Sequence, residues 1–246
     1  MVATPDNSGE ISRWQEQLRS SSPGEILQWA HSRFGRRLVF ATALGLEDQV
    51  ITHFLARETL PVRIVTLDTG RLFPESLQLV ERTEEHYRLK IETFFPQTEE
   101  VESMVRDHGI NLFYRSVELR QLCCRIRKIH PLGRALKGMD AWICGLRRQQ
   151  SVTRSDVYPV EWDDSNGLVK INPLWNWEES RLWETVKANQ VPYNPLHEQG
   201  FLSIGCACCT RAVAPGEDLR AGRWWWERPE HKECGLHQRP SPAENR

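Results

Sequence analysis

The stretch RLVFATALGLEDQVITHFLAR, residues 37–57, decides the fold. Residues 37–44 form a short apolar run rich in strand formers. Gly45 turns the chain, and residues 46–57 carry apolar side chains at helical spacing. A buried strand running straight into an amphipathic helix is the first half of a β-α-β unit. The pattern repeats downstream. Residues 62–67 read as a second buried strand ending in Asp68-Thr69-Gly70, followed by helix over 74–89, strand over 91–95 and helix over 99–108. Residues 141–144 are a further strand. Upstream, residues 11–19 and 23–34 read as helices, the second opened by Pro23 after a serine run. Residues 157–162 and 168–171 flank DDSNG and predict a hairpin, with Pro159 restricting its first strand to a sheet edge. Residues 178–189 are one more helix. Strands alternating with helices predict an α/β fold, a parallel sheet covered on both faces. Ligands bind such sheets at the carboxyl ends of the strands, where Gly45 and the Asp68 turn fall.

The chain has 246 residues and a formal net charge of −1. That length suits one principal domain with an appended segment. The charge balance argues against a nucleic-acid or membrane-surface binder. Basic residues do cluster locally, at Arg125, Arg127 and Lys128 and at Arg147 and Arg148, which suits a small anionic ligand. The opening residues MVATPDNSGE are polar, and no apolar run approaches a membrane span of about 20 residues. A cytoplasmic location is therefore expected. There the seven cysteines would be reduced, metal-bound or catalytic.

Those cysteines carry the strongest chemical signal. Cys123 and Cys124 are adjacent, and GCACCT follows some 80 residues later, with Cys206 and Cys209 in Cys-x-x-Cys spacing and Cys208 spare. Four thiolates suit zinc or an iron–sulfur cluster, and spacing barely separates the two. Separate buried cysteines are the plainer alternative. Cys234 stands apart, between Lys232 and His237. It is either a nucleophile whose thiolate is stabilised by basic neighbours or an incidental surface cysteine. The turn at Thr42–Gly45 can cradle an anion on backbone N–H groups, or simply connect strand to helix. Asp68-Thr69-Gly70-Arg71 is a loop or a ribose or phosphate holder. Arg147 and Arg148 are phosphate or sulfate ligands, or solvated charges. Of Trp224, Trp225 and Trp226, at least one is expected in the core, with the others anchoring a tail that begins near Pro215.

Taken together, GLEDQV, TLDTGRLFPE, CCRIRKIHPL, GLRRQQS, GCACCTR, GRWWWE and KECGLH resemble the assimilatory adenylyl-sulfate reductases of the phosphoadenylyl-sulfate reductase family, from about Val39 to His237. The resemblance implies a Rossmann-like, adenine nucleotide α-hydrolase-like layered parallel sheet with a C-terminal tail carrying the nucleophile. Residues 1–214 would form the nucleotide-binding and iron–sulfur domain and 215–246 the catalytic tail. It implies a [4Fe–4S] cluster on Cys123, Cys124, Cys206 and Cys209, with Lys128 offsetting its charge near the substrate. Arg147, Arg148, Arg220 and Arg223 become phosphosulfate ligands, and His237 orders the tail. Thr42, Gly45, Asp68, Thr69, Gly70 and Arg71 would frame the nucleotide. Ala43 stands where the family usually has serine, and Thr42 beside it can supply the hydroxyl. The implied reaction reduces adenosine 5′-phosphosulfate to sulfite and AMP through an S-sulfocysteine on Cys234, with thioredoxin or glutaredoxin as reductant, for cysteine biosynthesis. Rival readings are a 3′-phosphoadenylyl-sulfate reductase and a zinc-stabilised nucleotide-binding module. A homo-oligomer is left open.

Overall fold

The computed structural model describes residues 7–150 and 156–228. Cys234 and His237 lie outside them. Helix α1 (Asn7–Leu18) leads into α2 (Pro23–Phe34), whose start carries a complete capping box. Ser22 Oγ accepts from the Glu25 N–H at 3.3 Å, and the Glu25 carboxylate accepts from the Ser22 N–H at 2.7 Å. Strand β1 (Leu38–Thr42), helix α3 (Leu46–Arg57), β2 (Arg63–Leu67), α4 (Pro74–Tyr87), β3 (Ile91–Phe94) and α5 (Thr98–His108) follow in the expected alternation.

Among the described residues six strands form one sheet in the order β3-β2-β1-β4-β6-β5. It is parallel throughout except at β5 (Val160–Asp163), which pairs antiparallel with β6 (Leu168–Ile171) and is an edge, as Pro159 requires. From β1 the chain steps outward to β2 and β3, then crosses back to place β4 (Ala141–Ile143) on the other side of β1. The carboxyl ends of β1 and β4 therefore flank the point where the winding reverses, and a crevice opens there. The main core lies around this sheet, with Phe40, Ile143 and Ile171 fully buried among residues of α2, α3 and α8 (Glu179–Asn189). No helix among the described residues is long and apolar enough to cross a membrane.

Sequence periodicity did not reveal a helical run from residue 117 to 136. Helix α6 (Val117–Cys124) passes into a wide π turn (Arg125–Ile129) and then α7 (His130–Leu136). The His130 N–H bonds the Arg125 carbonyl five residues back. Pro131 follows and has no N–H to give, so a regular α-helix could not have closed its ladder here. Proline beside two cysteines and a basic run hides the helix from pattern reading.

A second, smaller core gathers Met104, Leu112, Phe113, Ile126, Cys206, Cys209 and Trp224. Trp224 is 1% exposed, and its backbone sits in the left-handed region at φ 42°. What holds this strained residue is a buried ion pair. Arg120 of α6 meets Glu227 through Nε and Nη2 at 3.0 and 2.8 Å, with both side chains almost wholly out of water. The Arg120 guanidinium also lies 4.8 Å from the Trp224 ring centre. Glu227→Ala leaves that guanidinium buried without its carboxylate and should cost about 3–5 kcal/mol of stability in urea unfolding. The Arg120→Met/Glu227→Leu double variant, which buries no charge, should recover most of the loss.

Candidate active site

A cavity of about 260 Å³ occupies the crevice at the β1 and β4 ends. Its first wall is the loop after β1. This loop turns sharply, with Leu44 at φ 60°, and its backbone donors are already engaged. Asp48, in the first turn of α3, accepts from the N–H groups of Ala43 at 2.7 Å and Gly45 at 3.3 Å. Thr42 Oγ1 accepts from the Leu44 N–H at 3.0 Å. A carboxylate of the chain itself thus takes the place at the helix N-terminus where a ligand anion was expected. The Thr42 hydroxyl holds the loop in shape. Burial pushes the Asp48 carboxyl up to about 7, against the lowering pull of the Ala43 N–H, and Glu47 adds to the rise. Gly145, just past β4, packs so closely on Asp48 that any Cβ there would collide with its Oδ1.

The second wall is the β4 exit. Arg147 is buried, donating to Glu47 Oε1 through Nε at 2.9 Å and Nη2 at 2.8 Å and to the Trp177 carbonyl at 3.0 Å. Its charge is neutralised within the wall. Arg148 turns elsewhere. Its guanidinium lies 4.4 Å from the Trp175 ring centre and 5.1 Å from that of Tyr158, donates to the Val157 carbonyl, and does not line the cavity. The expected pair of phosphate-binding arginines is therefore not a pair: consecutive residues at a strand end point to different sides.

Beyond the cavity lies a cysteine cluster. Cys123 and Cys124 end α6, and Cys206, Cys208 and Cys209 come from the loop after residue 205. All five line one small cavity together with Arg71, Arg120, Arg127, Lys128, Arg223 and Trp224. The Asp68 turn ties the loop down. Ala207 N–H donates to the Arg71 carbonyl at 2.8 Å, and Thr69 Oγ1 lies 3.2 Å from Cys206 Sγ. Arg127 donates to the Thr69 carbonyl at 2.6 Å. Tyr114 hydroxyl donates to the Cys208 carbonyl at 2.8 Å. Burial, and the neighbouring Cys124, push the Cys123 thiol up to about 11. Cys208 and Cys209 lie 3.8 Å apart; Cys209 is held as the thiol while its hydrogen bond lowers Cys208 to about 7. Among the described residues no three His, Cys, Asp or Glu side chains are grouped to hold a metal ion in this arrangement; the thiols ring a void instead.

Of the residues singled out from sequence, Thr42, Gly45, Thr69, Lys128, Arg147, Arg220 and Arg223 line the larger cavity. Asp68, Gly70 and Arg71 do not. Asp68 closes its own turn by accepting from the Gly70 N–H at 2.8 Å, and Arg71 faces the cysteines and donates to the Ile110 carbonyl. Glu47, Asp48, Gly145, Trp183 and His197 also line the cavity and were not singled out. Asp48 had a readable signal, an acidic residue three positions after the turn glycine, where it can reach back to the loop.

The phosphoadenosine phosphosulfate reductase domain matches residues 37–212, most of the described chain and both cysteine groups. The chain belongs to this family. Within it, adenosine 5′-phosphosulfate reductases resemble it strongly. The one from Allochromatium vinosum is 56% identical over 202 residues, covering 82% of this chain and 79% of that protein. The one from Burkholderia cepacia is 50% identical over 201 residues, covering 82% and 80%. A crystal structure of phosphoadenylyl-sulfate reductase from Candida auris, in a phosphate complex, superposes with a TM-score of 0.71 at 32% identity, over 82% of this chain and 96% of that one. An FMN adenylyltransferase from Candida glabrata shares the fold alone, with a TM-score of 0.55 at 15% identity, over 91% of this chain and 78% of that one. The layered α/β sheet read from sequence is thus the fold of this reductase family.

Asp48 makes this reductase-family site sensitive to pH in a defined direction. A carboxyl raised to about 7 in the folded chain keeps its proton where the unfolded chain has lost it. Stability from this group is complete below the ordinary carboxylate range and is lost as pH rises toward 7. Asp48→Asn should therefore lose less stability than the parent between pH 5 and pH 8. Urea unfolding at the two pH values measures the difference.

Proposed function

We propose that this chain reduces adenosine 5′-phosphosulfate to sulfite and AMP, with Cys234 as nucleophile and a protein dithiol as reductant. The observation that carries the reading is a shared wall. Lys128, Arg223 and Trp224 line both the nucleotide-sized cavity and the cysteine cavity, and Arg220 stands on the nucleotide side. Cations at that partition suit the phosphosulfate end of the substrate, with the nucleoside deeper along the β1 and β4 ends. Arg147 shapes the wall through Glu47, and Arg148 donates to the Val157 carbonyl outside it.

The four cysteines fit an iron–sulfur cluster. They line one small cavity, burial pushes the Cys123 thiol up to about 11, and Arg127 and Lys128 line the same cavity, where they would offset added negative charge. Cys123, Cys124, Cys206 and Cys209 would hold a [4Fe–4S] cluster, which when bound supplies electrostatic tuning and a structural clamp. Electrons for the reaction come from thiols.

In the first half of the reaction the Cys234 thiolate attacks the sulfur of the substrate. The S–O bond to phosphate breaks and AMP departs with the electron pair, stabilised by Lys128, Arg220 and Arg223. A sulfonate remains on Cys234. In the second half a reduced dithiol protein of the thioredoxin or glutaredoxin kind attacks the Cys234 sulfur, and sulfite leaves. The donor's second thiol then resolves the mixed disulfide, supplying two electrons in all and restoring Cys234. Glu227 is fixed to Arg120, and Cys234 comes seven residues later. That length spans at most about 24 Å, enough to bring a thiol to the Arg223 wall.

Cys234→Ser should retain the fold and bind AMP yet form no sulfite, while the parent incubated with adenosine 5′-phosphosulfate alone should carry a sulfonate that peptide mapping assigns to Cys234. An adduct on Cys144 or Cys208 would overturn the assignment. Cys124→Ser and Cys209→Ser should abolish a brown iron–sulfur absorbance that Cys208→Ser retains; a colourless zinc protein would refute the cluster. Rates on the 3′-phosphorylated nucleotide should fall well below those on the unphosphorylated one.

Arg220→Ala should weaken AMP binding by about 1.5–3 kcal/mol in titration calorimetry, the range for a hydrogen bond to a charged group. Arg148→Ala should leave that affinity unchanged.

A further inference from the structure

Three aromatic side chains beside the cysteine loop form a surface that the nucleotide site does not use. Tyr114 and Trp225 remain 45% and 40% exposed. Trp226 joins them, its ring centre 4.5 Å from Tyr114 and 4.7 Å from Trp225. Ile110, which leads into the same turn as Tyr114, is 61% exposed. Tyr114 and Trp225 are exposed and are backed by Trp226, which packs on the second core, and tryptophan and tyrosine are the side chains that dominate protein–protein contacts.

Its position restricts what can sit there. Trp225 and Trp226 immediately precede Glu227, which lies seven residues before Cys234 in the chain. Any protein whose thiol attacks the Cys234 sulfur must therefore come within about 24 Å of Glu227, the longest span of the intervening seven residues. Of positions 229–246 only Leu236 is a large apolar side chain.

We infer that the Tyr114, Trp225 and Trp226 surface, flanked by Ile110, is the docking site for the dithiol protein that releases sulfite. The inference rests on the reaction proposed above. The donor's thiolate attacks the Cys234 sulfur, sulfite departs with the electron pair of the S–S bond, and the donor's second thiol displaces Cys234. The donor ends as a disulfide, oxidised by two electrons, and of the two thiol protons one returns to Cys234 and the other leaves with sulfite as hydrogen sulfite. Docking on exposed aromatics brings a protein donor to the tail; a small thiol needs no such surface.

The two kinds of reductant separate the cases. Protein carrying sulfonate on Cys234 is mixed with reduced thioredoxin or with dithiothreitol, and sulfite release is followed in a single turnover. Trp225→Ala should lower the second-order rate with thioredoxin by about tenfold or more, the effect of losing an interface anchor, and leave the dithiothreitol rate unchanged. Ile110→Ser, at a more exposed position, provides a second variant should the first fail to fold. An unchanged thioredoxin rate in both variants overturns the inference, as does a parallel fall with both reductants. A concentration-dependent dimer in sedimentation that the variants abolish, with thioredoxin rates intact, assigns the patch to a second copy. Failure of the parent to form any sulfonate adduct is seen before a variant is compared, and removes the reaction and the inference together.

Discussion

The ion pair between Arg120 and Glu227 joins parts of the chain 107 residues apart, and the arrangement around the cysteines follows from it. A guanidinium with no exposure to water is tolerable only with its carboxylate in place. Satisfying it draws the segment after residue 219 back onto α6, where Trp224 lies between the guanidiniums of Arg120 and Arg223, at 4.8 and 4.7 Å. The Trp224 N–H then reaches the Cys209 carbonyl, and Arg211 and Gly222 pair their backbones. Gly222 has to be glycine, because a Cβ would meet the Arg211 carbonyl. One desolvated charge pair thus holds against α6 the segment that bonds the Cys209 carbonyl.

The two cavities divide the chemistry unevenly. On the nucleotide side the wall is built from neutralised charges: Arg147 with Glu47, and Asp48 folded into its own loop. Lys128, Arg220 and Arg223 line the far end of the same cavity. In the reaction proposed above, the adenosine would lie along the balanced wall and the phosphosulfate at the end lined by these cations.

How far this was legible in sequence depends on the kind of interaction. Strands such as Leu38–Thr42 and Arg63–Leu67 announce themselves because burial on both faces leaves a continuous apolar run. Pro159 marks an edge because it cannot donate to a ladder. The helix through residues 117–136 was invisible because a proline and a π turn break its period. Arg147 lines the cavity and Arg148 does not, because adjacent residues leaving a strand diverge and sequence spacing says nothing of which turns inward. Asp68 and Arg71 belong to the right turn, but their bonds run to that turn and to residues before the cysteine helix, contacts that only tertiary packing creates. The Glu47 and Arg147 pair, 100 residues apart, had no local signature at all.

The wide turn at Arg125–Ile129 has a consequence for how this chain can vary. Such a turn carries one residue more than the α-helix it interrupts. Removing a residue there would let the hydrogen-bond ladder close evenly, yet would rotate everything on one side by about 100° and shift it by about 1.5 Å relative to the other. Cys123 and Cys124 precede the turn and Lys128 lies within it, so the sulfurs and the cation would no longer face one cavity. The length of this helix is therefore constrained along with its side chains, and the phase of the helix is itself a component of the site.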